Sequence, residues 1–469
     1  QERGWQVCTI LNPLNRQQHS ERCRYSAYEG GDCGMFGRLR DRHMQYRLQK
    51  TVFEKVKEVA IEEKKKWFIF EERLEHSDAR DYYDVEIYPK MCTSDFNRVA
   101  EQEHFVTFLS KKLGGDMTSE AMLIMLEELH QCFQPYYQHI MYSFEFYSAM
   151  GNSSDMSQML YNQCMDFLGD TELVEPKNKK MDRSVMDSIF IEANKEGEEQ
   201  QESEVGDTNA DRALMRFELV EMLIRIALKK FYLPGTCGTL PEAVKKVLED
   251  HVMPNDASGS CSAAIHDIDA FREECLYCDE VDTLLRTHNR TLRAIFEKFQ
   301  DEENVRLKND QMSYKYYMRF LKQVKFVNED FTLRECRLTY VWSRMKVIDE
   351  VGSHDTWGYI TYVDWLEALA RMAQLKCVPS PSDLEEMQSL NILKSKETHT
   401  YGLLRAWHKM SVGNNQGKLL DRASGEWGAP SERPWVEKFQ ALIDLLFCVF
   451  DEDGDGVDLE DLQYWKPKP

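Results

Sequence analysis

In DEDGDGVDLEDL, near the C-terminal end, Asp451, Asp453 and Asp455 place carboxylates at alternate positions, and Gly456 follows them. Hard oxygen ligands at this spacing, with a glycine that allows a sharp bend, suit a divalent cation such as calcium or magnesium. A regular twelve-residue loop would close with a bidentate glutamate, but counting from Asp451 puts Leu462 there and Asp458 where an apolar residue belongs. One deletion after Gly456 restores the pattern. Val457 then becomes the apolar residue, the carbonyl of Gly456 or Val457 supplies the backbone ligand, and Asp461 closes the loop. The candidate metal ligands are therefore Asp451, Asp453, Asp455, Val457 and Asp461. Because Asp461 is too short for a two-oxygen grip, calcium is weakened relative to magnesium, which tolerates retained waters.

Other chemistry is thinly represented. Cys261, His266, Cys275 and Cys278 are ligand types that structural zinc takes, but the lone C-x-x-C has no second pair at finger spacing and reads as buried thiols. GGDCGMFG, from Gly30, has neither a strand before it nor a Lys-Ser/Thr after it, so it is not a phosphate loop. There is no HExxH, nucleophile elbow, kinase set or dinucleotide fingerprint, and the chain reads as non-enzymatic.

The elements that must hold the acidic loop are helices. Apolar residues recur at three- and four-residue spacing and alternating runs are nearly absent, so the expected fold class is all-α. PWVEKFQALIDLLFCVF puts Trp435, Phe439, Leu442, Ile443, Leu446 and Phe450 on one face of the helix entering the loop, with Pro430 and Pro434 setting its start. A short exiting helix ends by Trp465. Upstream, a long helix is expected over Met35 to Glu75, basic from Gly37 to Lys66, followed by an irregular piece at YPKMCTSD. Helices resume near Phe96 and after Thr118 or Ser119, which can cap a helix start. An acidic loop spans 194–211, Thr239 and Pro241 open a short helix, and breaks at 378–383 and 411–434 set off the C-terminal part.

Part of the chain repeats. RFELVEMLIRIA (216–227) matches YVDWLEALARMA (362–373), with Glu221, Leu223, Arg225 and Ala227 answering Glu367, Leu369, Arg371 and Ala373, and Glu218 answering Asp364. MDFLGDTELV from Met165 answers MRFLKQVKFV from Met318, and FEFY from Phe144 answers FEKF from Phe296. Three blocks in one order indicate a duplicated module of about a hundred residues, each with four helices joined by two loops.

In SHDTWGYITYVDWLEAL, Ser353, Asp355, Trp357, Gly358, Ile360 and Asp364 fall where a twelve-residue cation loop has its ligands, its glycine and its apolar contact. Together with the C-terminal loop, this resembles the EF-hand superfamily. The resemblance implies that Gly358 makes the sharp turn and that Ile360 ties two loops together through a short strand. The oxygen ligands are mostly lost, since Trp357 cannot coordinate and Asp364 is too short, so cation binding is not expected there. The helix pattern is similar to degenerate EF-hand pairs in flagella-associated proteins of the ciliary axoneme. On that likeness the chain divides into an N-terminal helical extension (1–115), pair A (116–235), a helical linker (236–285), pair B (286–378) and a C-terminal segment (379–469) with an EF-hand at about 435–465. The likeness implies a non-enzymatic cytoskeletal scaffold, docking onto microtubule doublets or neighbouring axonemal proteins, with the basic Gly37 to Lys66 helix facing acidic tubulin. The alternative is a calcium-responsive regulatory subunit that holds a helix of a partner enzyme in a groove lined by Met and aromatic residues such as QMLYNQCM and QMSYKYYM.

Composition sets the outer bounds. Lys and Arg number 59 against 81 Asp and Glu, a formal charge of -22, which disfavours nucleic acid as a partner and favours cations or basic surfaces. Thirteen scattered cysteines read as reduced thiols of a cytoplasmic protein. No apolar run approaches the roughly 18 residues that would span a bilayer, so no membrane partner is expected.

Overall fold

The structure, a computed structural model, describes residues 69–76, 78, 87–115, 118–151, 156–195, 212–253, 268–300, 311–353, 357–389, 400–412, 433–451, 457 and 459–466. All lie in one compact unit, Trp67–Pro469. The basic Gly37 to Lys66 segment and the acidic insert from residue 196 to 211 lie outside the described residues.

A 3-10 turn (Ile69–Glu72) and one helical turn (Arg73–His76) come first. Three helices follow: α1 (Ile87–Glu101), α2 (Glu103–Lys112) and α3 (Ser119–Phe133). The expected irregular piece at YPKMCTSD is instead the first half of α1. Pro89 sits in the first turn, where the missing N–H has no helical partner to lose. Thr118 caps α3 by accepting from the Ala121 N–H at 3.2 Å.

Module I runs α4 (Tyr137–Met150), β1 (Met159–Leu160), α5 (Tyr161–Asp170), α6 (Arg183–Ala193), β2 (Ala213–Leu214) and α7 (Arg216–Ala227). Helix α8 (Leu240–Val247) follows, opened by a Thr239–Glu242 capping box and Pro241 as its sequence predicts. Module II repeats the order: α9 (Asp279–Phe299), β3 (Gln311–Ser313), α10 (Tyr314–Gln323), α11 (Leu333–Ser343), β4 (Tyr359–Thr361) and α12 (Tyr362–Leu375). Helix α9 begins inside the stretch expected as linker. It is preceded by a short helical turn (Ile268–Phe271) that runs into a π-helical turn at Arg272–Leu276, after which Cys278 takes the N-cap position of α9.

Each module closes on a two-stranded antiparallel ladder, Met159 opposite Leu214 in module I and Met312 opposite Ile360 in module II. Ile360 thus makes the strand contact expected of it. Gly358 is not among the described residues with positive φ. The turn there is shaped by the Trp357 N–H, which donates to the Ser353 carbonyl at 2.9 Å.

Helices α13 (Pro381–Ser389), α14 (Thr400–Val412), α15 (Trp435–Phe450) and α16 (Leu459–Tyr464) complete the chain. Of the apolar face expected on α15, Phe439, Leu442, Ile443, Leu446 and Phe450 are inaccessible, against α12 and α14, while Trp435 at its start is half-buried. Module I is covered by α1 and α8 packed on α7, and α11 of module II packs on α4 of module I. The fold is therefore mostly helical, with one continuous core. Among the described residues no helix is long and apolar enough to cross a membrane.

Candidate functional site

The repeated E-x-x-x-R of α7 and α12 puts an acid and an arginine one turn apart on one helix face. In α12, Arg371 Nε lies 2.7 Å from Glu367 Oε1, and in α7 Arg225 Nε lies 2.7 Å from Glu221 Oε1. Both faces are buried, so each pair collects partners from outside its own helix. Glu367 is also held by Arg73 at 2.6 Å and by Arg272 Nε at 3.1 Å. Burial pushes the Glu367 carboxyl up, but Arg272, Arg73 and Arg371 outweigh it and bring it down to about 2. Asp364, expected at a loop-closing position, caps α12 through the Thr361 N–H at 2.9 Å and accepts from Arg73 at 3.0 Å. In module I, α2 occupies the matching place: His104 Nε2 is 3.3 Å from Glu221, and the Arg225 guanidinium lies 4.1 Å from the centre of the Phe108 ring.

The loops of the two modules meet end to end, and arginines hold them. Arg216, the first residue of α7, forms a two-pronged pair with Asp95 of α1, Nε to Oδ2 at 2.6 Å and Nη2 to Oδ1 at 2.8 Å. It also donates to the carbonyls of Val347 and Ile348, at 3.0 and 2.7 Å, in the loop between α11 and β4. Arg344 donates to the Trp357 carbonyl at 2.7 Å and to the Met156 carbonyl at 3.4 Å, across the junction in module I. The Trp357 ring contacts both guanidinium groups, with centroid distances of 4.9 Å to Arg216 and 5.5 Å to Arg344. Backbone carbonyls that line such a loop are thus satisfied by side-chain cations. Glu350, in the same loop, accepts the N–H groups of Arg216 and Phe217 at 3.0 and 3.1 Å, at the start of α7. Burial pushes its carboxyl up to about 7, with Arg216 opposing and Asp95 adding to the rise.

A second pair of equivalent contacts fixes the linkers inside the modules. Glu172 and Lys325 hold the same place after α5 and α10, and both have positive φ, 54° and 58°. Over each linker reaches a lysine just past the exit helix. Lys230 meets Glu175 at 2.5 Å, whereas Lys376 donates to the Phe326 carbonyl at 3.1 Å and to Asn328 and Asp330 at 3.3 and 3.4 Å. A histidine completes each set. His251 Nδ1 lies 2.9 Å from the Thr171 carbonyl, and His408 bonds the equivalent Val324 carbonyl; burial lowers both imidazoles, His408 to about 4.

The C-terminal candidate loop is described only at its edges. Asp451 is buried at the C-cap of α15, its carbonyl accepts from Arg405, and its Oδ1 lies 3.9 Å from the Arg405 guanidinium. Val457 is half-buried against the core, as expected of the apolar loop residue. Asp453, Asp455 and the side chain of Asp461 lie outside the described residues. Leu462 is buried on α16, and the Trp465 indole donates to the Val449 carbonyl at 3.1 Å, so the ends of the loop are brought back together. Of the four candidate carboxylates only Asp451 is described, and the Arg405 guanidinium stands beside it. Cys275 and Cys278 lie close in the chain, while Cys261 and His266 lie outside the described residues.

Sequence reasoning found the E-x-x-x-R motif as a repeat signature but not as a docking centre. It missed Arg73, Arg216, Arg272, Arg344 and Lys376 altogether. A signal was present for one of them, because Lys230 and Lys376 stand equally far beyond the matched blocks. Compared with family models, with curated proteins and with solved structures, the chain matches none of them.

Proposed function

We propose that this protein is a non-enzymatic helical scaffold made of two degenerate EF-hand pairs clamped loop to loop, and that it docks onto microtubule doublets or neighbouring proteins of the ciliary axoneme. The observation that carries the scaffold reading is the junction where Arg216 and Arg344 satisfy the carbonyls of Val347, Ile348, Trp357 and Met156. A framework whose loops are closed by its own cations keeps its shape whatever the calcium level. Helices of the same chain cover the faces a sensor would open to a target: α1 and α8 on module I, α15 on module II. The axonemal setting rests on the resemblance in the helix pattern.

The test is hydrophobic-dye binding and thermal unfolding of the full chain with calcium and with chelator. A scaffold gives the same dye signal in both, and its unfolding midpoint moves only by what the C-terminal loop contributes, a shift abolished in Asp451→Ala. A calcium-dependent rise in dye binding, lost in that variant, would instead establish the regulatory-subunit reading, which Asp451 and the closed ends of its loop favour. For the partner, reversing the basic charges between Gly37 and Lys66 is expected to weaken microtubule co-sedimentation, and unchanged co-sedimentation removes tubulin.

A further inference from the structure

The segment Ile69–His76 is far in sequence from everything it touches, yet it reaches the centre of module II. Phe70 is fully buried and meets Tyr277 edge-on, with ring centres 5.2 Å apart. One turn later Arg73, also fully buried, donates to the Tyr277 hydroxyl at 2.7 Å and the Ser343 carbonyl at 3.2 Å, and pairs with Asp364 and Glu367. The Ile69 N–H donates to the buried Asp282 at 3.3 Å, and at the rim Glu72 pairs with the partly exposed Arg293 at 2.7 Å. Buried aromatic and arginine anchors inside a polar rim are the anatomy of a peptide interface.

The charges of the seat select the occupant. With Arg73 taken away, Glu367 keeps Arg272 and Arg371, but the buried Asp364 carboxylate loses the guanidinium that pairs with it at 3.0 Å. An unbalanced buried charge is costly, so the empty seat demands a cation. Tyr277, Ser343, Asp364 and Glu367 present acceptors on several sides, the pattern that a forked guanidinium fills and a compact ammonium does not.

We propose that residues 69–76 are an intramolecular ligand, a Phe-x-x-Arg clip held in a receptor on module II, and that this receptor binds an arginine-anchored helical segment supplied in trans when its own clip is disabled. In the intact chain the tether keeps the clip at an effective concentration of order millimolar, so a free segment competes poorly. The inference does not depend on the axonemal reading, since it concerns only contacts of residues 69–76 with module II and with the segment that precedes α9.

The test uses the full-length chain and a fluorescent peptide spanning Trp67 to Asp78. The peptide is expected to bind the Phe70→Ala/Arg73→Ala chain saturably and at least tenfold more tightly than the wild-type chain, while a peptide carrying Arg73→Ala binds neither. If the double variant keeps its helical circular dichroism and does not bind the peptide, or if wild type binds it equally well, the proposal is wrong. A second arm covers a variant that does not fold. A site-specific protease sequence is placed between Asp78 and Ile87 of the wild-type chain, and the nicked protein is run on gel filtration. The N-terminal fragment should co-elute with the rest and be displaced by excess wild-type peptide but not by the Arg73→Ala peptide. Release on nicking alone, or no displacement, overturns the proposal.

Discussion

Glu367 and Glu350 are both buried carboxylates, and their surroundings drive them in opposite directions. Three guanidinium groups surround Glu367, so its carboxyl falls from 4.5 to about 2. Its contribution to stability is present above 4.5 and is lost as pH falls through 2. Glu367→Gln strands Arg73, Arg272 and Arg371, and should cost about 3–5 kcal/mol in denaturant unfolding at neutral pH. Glu350 behaves the other way. It faces Asp95 of α1 and Arg216 of α7, and sits beside Asp349, which pairs with Arg98. Its folded value near 7 exceeds the ordinary 4.5, so its contribution is greatest below 4.5 and declines as pH rises to 7. Over that window the loss amounts to about 3 kcal/mol at most. Glu350→Gln should flatten the fall in stability between pH 5 and 7, and an unchanged slope would show that another group sets it.

At the level of elements, the two modules use one linker design at different depths. Lys376 is buried and faces Asp330, itself buried, whereas the carboxylate facing Lys230 is 42% exposed. Lys376→Met leaves Asp330 buried without its ammonium and should cost about 3–5 kcal/mol. Lys230→Met should cost under about 1 kcal/mol, as a solvated pair would. Equal losses in urea titrations would refute this difference. The helices themselves were legible because their apolar spacing and caps are local: Thr118, Thr239 and the face of α15 behave as the sequence predicts. The linker turns were not, because the left-handed positions are Glu172 and Lys325 rather than the glycine that usually marks such a helix end. Pro89 misled in the opposite sense, since a proline that suggests a break is harmless in a first turn.

For the whole molecule, the arrangement of the modules depends on contacts that no local pattern announces. Arg216 meets Asp95 and Val347 more than a hundred positions away in either direction, and neither partner lies in a motif. The duplication could be read, but how its copies face each other could not. Their junction is compact: Trp357 between Arg216 and Arg344, with α11 packed on α4 beside it. Such a contact makes the copies unfold as one cooperative body. Trp357→Ala combined with Arg344→Met keeps the Arg216–Asp95 pair but removes the ring and one clamp. The ring alone is worth about 3–5 kcal/mol as a core truncation. Scanning calorimetry should then resolve two transitions where the wild-type chain shows one, because each module retains its own ladder, linker lysine and covering helices. A single transition shifted to lower temperature would mean that α4 and α11 couple the modules without the junction.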